Sequence, residues 1–259
     1  MYKNLEDVIK TIEILRSPNG CQWDREQTHE TLRPNMVEEA YEAIDAINAN
    51  DMKHLKEELG DVLLQVLLHS QIAKEEGEFD IDDVAKTLNE KLIHRHPHVF
   101  GDIKVTTTDE ILANWDKLKK EEKPHRTSTM DGISKSQSAL MSAQKISKKA
   151  VKVGFEWPNE KSLYECFYSE VEEFKEACLR KNKEHMEEEL GDILFAAINL
   201  ARWNKLDAEQ ALIKANTKFI SRFRKMEELA TKPLEEYSFE EYDKLWNRVK
   251  EELLTANKI

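Results

Sequence analysis

Apolar residues recur at helical spacing along most of the chain. In the clearest stretch Leu55, Leu59, Val62, Leu63, Val66 and Leu67 fall three and four residues apart, the period of a helix with one buried face. That pattern predicts a helix from about Lys53 to Glu76. An amphipathic helix is expected over 2–16, stopping near the turn cluster Ser17-Pro18-Asn19-Gly20. A longer one, with Pro34 in or near its first turns, runs through Glu38 to Asn48 and is broken by Asn50-Asp51. Phe79-Asp80 caps a further helix to about Arg95, ended by His96-Pro97-His98, and another near Asp109–Glu122 contains Trp115. The polar, punctuated run Lys123-Pro124-His125-Arg126-Thr127-Ser128-Thr129-Met130-Asp131-Gly132 reads as a linker. After it a basic helix around Ser136–Val151 leads to Val153-Gly154-Phe155-Glu156-Trp157-Pro158. Helices are then expected over about 160–181, 185–204, 207–230 and 239–254.

The order of elements in the second half repeats that of the first, and so do its landmarks. Glu38-Glu39-Ala40-Tyr41-Glu42 precedes Glu57-Glu58-Leu59-Gly60-Asp61; Glu172-Glu173-Phe174-Lys175-Glu176 precedes Glu188-Glu189-Leu190-Gly191-Asp192. Trp23 lies 15 residues before Glu38, and Trp157 lies 15 before Glu172. Lys91 and Arg95 parallel Lys218 and Arg222, with Trp115 and Trp246 further on. The expectation is therefore an all-α chain of two tandem copies of one module, 1–122 and 133–259, joined by 123–132.

Composition narrows the picture. Seven Gly and six Pro against 35% charged residues fit helices with short connections. No apolar run reaches the length of a membrane span, and the N-terminal residues lack a signal-peptide plan. Cys21, Cys166 and Cys178 are an odd number without metal-ligand spacing, which points to a reducing cytoplasm. A formal charge of −12 argues against a generic nucleic-acid binder, although metal ions can still bring phosphates to an acidic protein.

The candidate chemistry lies in the repeated acids. On a helix Glu172, Glu173 and Glu176 share an arc of roughly 100°, and Glu189 and Asp192 share a face three residues apart. A short connection favours an antiparallel hairpin in which the two faces meet. Five carboxylates around one space need a counter-charge, and a hard divalent cation such as Mg²⁺ suits all-oxygen ligands. Lys218 and Arg222, four apart, project together and suit a polyphosphate. Trp246 could stack on a nucleobase, as could Trp157, although either also fits a core. His94, His96 and His98 read as a helix end rather than a zinc site, with no Cys near them. Asn199, seven residues after Asp192, stands where the first copy has Leu68, and a polar residue there could recognise sugar or base.

E-E-x-x-E followed by E-x-x-D on helices, with a later K-x-x-x-R and Trp, resembles the MazG family of nucleoside triphosphate pyrophosphohydrolases. Gly20-Cys21-Gln22-Trp23-Asp24, Arg95-His96-Pro97-His98-Val99-Phe100-Gly101 and Val153-Gly154-Phe155-Glu156-Trp157-Pro158 are similar to blocks of its two-domain bacterial type, and Gln22 departs where that type commonly has Pro. The resemblance implies homodimers that complete the helical bundles, dependence on Mg²⁺ (with Mn²⁺ as a substitute), and cleavage of NTPs or dNTPs to the monophosphate and pyrophosphate. It implies a role in nucleotide-pool housekeeping or stress. It also implies metal ligands at Glu173, Glu176, Glu189 and Asp192, with Glu172 either supporting those ligands from behind or positioning water, and Lys218, Arg222 and Trp246 on the nucleotide. The first-copy counterparts are Glu39, Glu42, Glu58 and Asp61, with Lys91, Arg95 and Trp115. The second module is the expected catalytic one, and whether the first also turns over stays open. Two rivals remain at this point. One is a nucleotide-binding sensor or partner-binding module without turnover. The other is a di-iron bundle, which would need histidine ligands; the one E-x-x-H, Glu26 to His29, lies outside the acidic stretches.

Overall fold

The computed structural model describes residues 2–256, so that Met1 and 257–259, the outer ends of the two expected modules, lie outside the described residues. No strand occurs among the described residues, and the chain divides into two compact units between Lys123 and Pro124. In the first unit α1 (Lys3–Arg16), α2 (Gln22–Glu26), α3 (Arg33–Asn48) and α4 (Met52–Glu76) are followed by α5 (Ile81–Arg95), α6 (Pro97–Phe100) and α7 (Thr108–Glu121). The second unit contains α8 (Ala139–Val151), α9 (Glu160–Leu179), α10 (Lys183–Trp203), α11 (Ala208–Leu229) and α12 (Phe239–Ala256), with a 3₁₀ turn at Leu234–Glu236.

Each unit is organised on one helical hairpin, α3–α4 and α9–α10, and the two hairpins turn by the same device. Three residues make the turn, and the middle one, Asn50 or Lys181, takes the left-handed conformation (φ 58° and 53°) that ends a helix. The next amide then reaches back to close the last turn, Asp51 N to Ala46 O at 3.0 Å and Asn182 N to Ala177 O at 3.3 Å. The same two residues cap the following helix. Asp51 Oδ1 accepts from the amides of Lys53 and His54, both at 3.0 Å, and Asn182 Oδ1 accepts from His185 N at 3.3 Å. Such a turn holds the helices antiparallel and fixes which residues face one another across the hairpin.

Apolar faces then collect around these hairpins. In the first unit Ile12, Leu32, Leu67, Leu68 and Ile72 form the buried cluster, and α1 packs on α4. Buried Arg16 ties the α1–α2 segment to it. Its Nε and Nη2 donate to Glu75 at 3.1 and 2.8 Å, and its Nη1 donates to the carbonyls of Asp24 and Gln27. Gly20 is required in that segment, because a Cβ there would meet the Ile14 and Leu15 carbonyl oxygens at 2.2 Å. The second unit uses a different strap to the same end. Arg202 on α10 donates to both oxygens of Glu156 at 2.5 and 2.7 Å and to Ser147 Oγ on α8 at 2.7 Å. Met226, Leu245 and Val249 bury the seam between α11 and α12.

The short α2, α6 and 3₁₀ pieces carry no apolar period and were not expected from the pattern. The helix expected around Ser136–Val151 begins at Ala139, because Ser138 Oγ accepts from Met141 N at 3.2 Å as its cap.

Candidate metal and nucleotide site

The hairpin of the second unit brings α9 and α10 together acid to acid. Carboxylate oxygens of Glu170, Glu173 and Glu189 all lie within 4.8 Å of one another. Glu189 is 6% exposed, and its Oε1 is met by His185 Nε2 at 2.8 Å. Burial, then the charges of Glu173, Asp192 and Glu189, push the Glu170 carboxyl up from its ordinary range, so Asp192 stands close enough to be felt there. In the first unit the oxygens that gather within 4.8 Å are those of Glu39, Glu58 and Asp61, the counterparts of Glu173, Glu189 and Asp192, and His54 Nε2 holds Glu58 Oε1 at 2.7 Å. Glu58 is 5% exposed, and its other oxygen, Oε2, is buried without a hydrogen-bond partner. Burial and the negative charges of Asp61, Glu42 and Glu58 raise Glu39, and the charge of Glu58, with burial behind it, raises Glu42. Both sites therefore gather carboxylates with one histidine beside each buried glutamate, the first leaves Glu58 Oε2 without a partner, and the oxygen donor set fits a hard divalent cation.

The remaining expected residues are placed as follows. Glu172 is exposed and takes Lys175 at 2.7 Å, and Glu176 is exposed and takes Arg180 at 3.0 Å. Of the five carboxylates expected around one space, the structure thus brings Glu173 and Glu189 together, with Asp192 near them. Cations one turn away on their own helix draw Glu172 and Glu176 aside. Glu170, absent from the sequence reading, takes a place in the cluster. Its signal was its position three residues before Glu173, masked because Met36 holds the matching place in the first copy. His54 and His185 were also missed, although each lies four residues before its glutamate.

Asn199, expected to meet sugar or base, is 2% exposed, and its Oδ1 accepts from Ser147 Oγ at 2.6 Å. Its polarity serves the packing of α10 on α8. Lys218 is exposed and Arg222 half-buried on α11, and among the described residues neither forms an ion pair with the carboxylates. Trp246 on α12 packs against Phe219 with ring centres 5.4 Å apart, and the two help line an open apolar pocket of about 260 Å³ with Phe223, Tyr242 and Asp243. In the first unit Arg95 is held by Glu122, and Trp115 lies against His96 at 6.3 Å. His96 caps α5, its Nδ1 2.6 Å from Leu92 O, in line with a helix end.

Comparison with known proteins now decides the family. The sequence profile of the MazG nucleotide pyrophosphohydrolase domain matches the chain twice, over 27–100 and 159–226, and each match spans one acidic hairpin. The chain belongs to the MazG family. It is 47% identical, over 95% of each chain, to a protein of Thermotoga maritima named nucleoside triphosphate pyrophosphohydrolase/pyrophosphatase MazG. It is 41% identical to the nucleoside triphosphate pyrophosphohydrolase of Escherichia coli, over 95% of this chain and 97% of that one. A Bacillus subtilis protein, YabN, is 46% identical over 97% of this chain and 52% of its own length. No described helix is long and apolar enough to cross a membrane.

Proposed function

We propose that this MazG protein hydrolyses nucleoside and deoxynucleoside triphosphates to the monophosphate and pyrophosphate, and that the second unit carries the reaction. The observation that carries this reading is the convergence of Glu170, Glu173 and Glu189 on one point of the α9–α10 hairpin, with Glu189 buried. The names of the full-length relatives support it.

In this reading Glu173, Glu189 and Asp192 hold a divalent cation, Mg²⁺ or in its place Mn²⁺, with Glu170 beside them and Glu176 joining once it releases Arg180. When bound, such an ion neutralises phosphate oxygens and lowers the pKa of water. The protein groups supply position and charge. His185 fixes the orientation of Glu189 through its 2.8 Å contact. Glu172, free to leave Lys175 on an exposed face, orients the attacking water and takes its proton. Lys218 and Arg222 carry the charge of the leaving pyrophosphate. Trp246 and Phe219 offer the base an aromatic wall in the pocket between α11 and α12.

A homodimer fits the same reading. Tyr168, Leu190 and Leu194 stand 61%, 47% and 52% exposed on the helices of the acidic hairpin, an apolar surface suited to a second copy. The free cysteines Cys21, Cys166 and Cys178 suit a reducing cytoplasm. The test is product analysis after incubating the full chain with Mg²⁺ and a panel of NTPs and dNTPs. Monophosphate with pyrophosphate is expected. Diphosphate with phosphate, or intact nucleotide, overturns the reading.

A further inference from the structure

The two units differ at the arginine that the repeat aligns with the nucleotide-binding one. In the second unit Arg222 has no carboxylate within salt-bridge distance among the described residues, and seven residues after Trp246 stands Leu253, packed on the apolar seam of α11 and α12. In the first unit the residue seven after Trp115 is Glu122, and it reaches Arg95. Arg95 Nε donates to Glu122 Oε1 at 2.9 Å and Nη2 donates to Oε2, a two-point contact. The Arg95 and Glu122 side chains are only 12% and 23% exposed, and His94 Nε2 lies 4.0 Å from the same carboxylate. A planar carboxylate on a guanidinium fork meets the same donors that a phosphate would use.

We propose that Glu122 acts as a built-in anion for Arg95, so that the first unit takes no polyphosphate while that carboxylate is in place. The acidic hairpin of the first unit keeps its cation-binding oxygens but lacks a free arginine to receive a triphosphate. Glu122 follows directly on α7 and is the last acid before the stretch that joins the units. The ligand class is a nucleoside triphosphate with its divalent cation. The inference rests on the proposed function, because it takes the role of Arg95 from Arg222.

Titration calorimetry with a non-hydrolysable α,β-methylene triphosphate and Mg²⁺, on the full chain, tests it. One site per chain is expected for the unaltered protein. Glu122→Gln and Glu122→Ala are each expected to add a second site, at least about tenfold tighter than any residual binding there. Adding Arg95→Ala to either variant is expected to remove it. Turnover by the second unit stays unchanged in Glu122→Gln. Two sites in the unaltered protein overturn the proposal, as does a single site in both variants with their melting temperatures retained. No site at all in the unaltered protein refutes instead the proposed function, since Arg222 would then bind nothing.

Discussion

Asn199 separates two readings of the second unit, and replacing it by Leu decides between them. Leu68 occupies the matching position in the first unit and is 2% exposed, so the hairpin geometry accepts a leucine there and the steric cost is small. The substitution removes the 2.6 Å hydrogen bond from Ser147 Oγ, worth about 1 kcal/mol net, and leaves a buried hydroxyl proton without an acceptor, a further 1–3 kcal/mol or so. Ser147 still accepts from Arg202 at 2.7 Å, so only half of its bonding is lost. The apolar surface gained by Leu offsets roughly 1 kcal/mol. The expected net loss is about 2 kcal/mol, read from urea unfolding followed by circular dichroism. A double-mutant cycle with Ser147→Ala should return a coupling of about 1 kcal/mol, because the two side chains share one bond. Below the unfolding transition, kcat/KM for any nucleotide should match that of the unaltered protein. A variant that keeps its stability within about 0.5 kcal/mol yet loses tenfold or more in kcat/KM would put Asn199 on the ligand and refute this placement.

Three further outcomes test the acidic hairpin and the Arg16 strap. Glu189→Gln keeps the shape of the hairpin but removes the buried charge, so turnover should fall by roughly 100-fold or more and Mn²⁺ binding, followed by electron paramagnetic resonance, should weaken while the melting temperature holds. Arg16→Met should destabilise the first unit by about 1–2 kcal/mol, since it takes from exposed Glu75 its arginine donor, leaving Gln71, and from the carbonyls of Asp24 and Gln27 theirs. Glu75 also gives that strap a pH dependence. Burial pushes its carboxyl up, but the hydrogen bonds from Arg16 and Gln71 and the charge of Arg16 pull it further down, below the ordinary range. Its contribution is therefore complete above the unfolded-state pKa and is lost as pH falls through the lower folded value. Acid unfolding curves of Arg16→Met should lose that part of the slope.

The helices were legible because their apolar period is long and regular. α4 begins at Met52 against an expected Lys53, and α11 spans Ala208–Leu229 against an expected 207–230. The acidic hairpins were legible for a second reason, the repetition of E-E-x-x-E and E-x-x-D at one spacing. What the pattern could not decide was which carboxylates leave their own helix. Glu172 and Glu176 have cations three and four residues away, and a local ion pair costs no chain closure, so they turn to Lys175 and Arg180. Glu170 has no such partner and turns inward, where Cys166 Sγ stands 3.8 Å from it. Asn199 is ambiguous for a related reason. A polar residue on an otherwise apolar helix face signals either a ligand or a buried partner, and its partner Ser147 is 52 residues away on another helix.

The two units show what the hairpin is for. Burying a carboxylate works against folding, yet Glu58 and Glu189 are 5% and 6% exposed in both copies, each steadied by one half-exposed histidine. Around them the units diverge freely. The first straps its loop with Arg16 from α1, while the second uses Arg202 from α10, and Leu68 faces the core where Asn199 bonds to Ser147. A packing motif kept for stability would show the reverse, a common core around variable acids. Two helices turned by a left-handed residue, with a buried glutamate across from a second acidic face, are instead the common part, and the cost they impose is one that the cation of the proposed function would relieve.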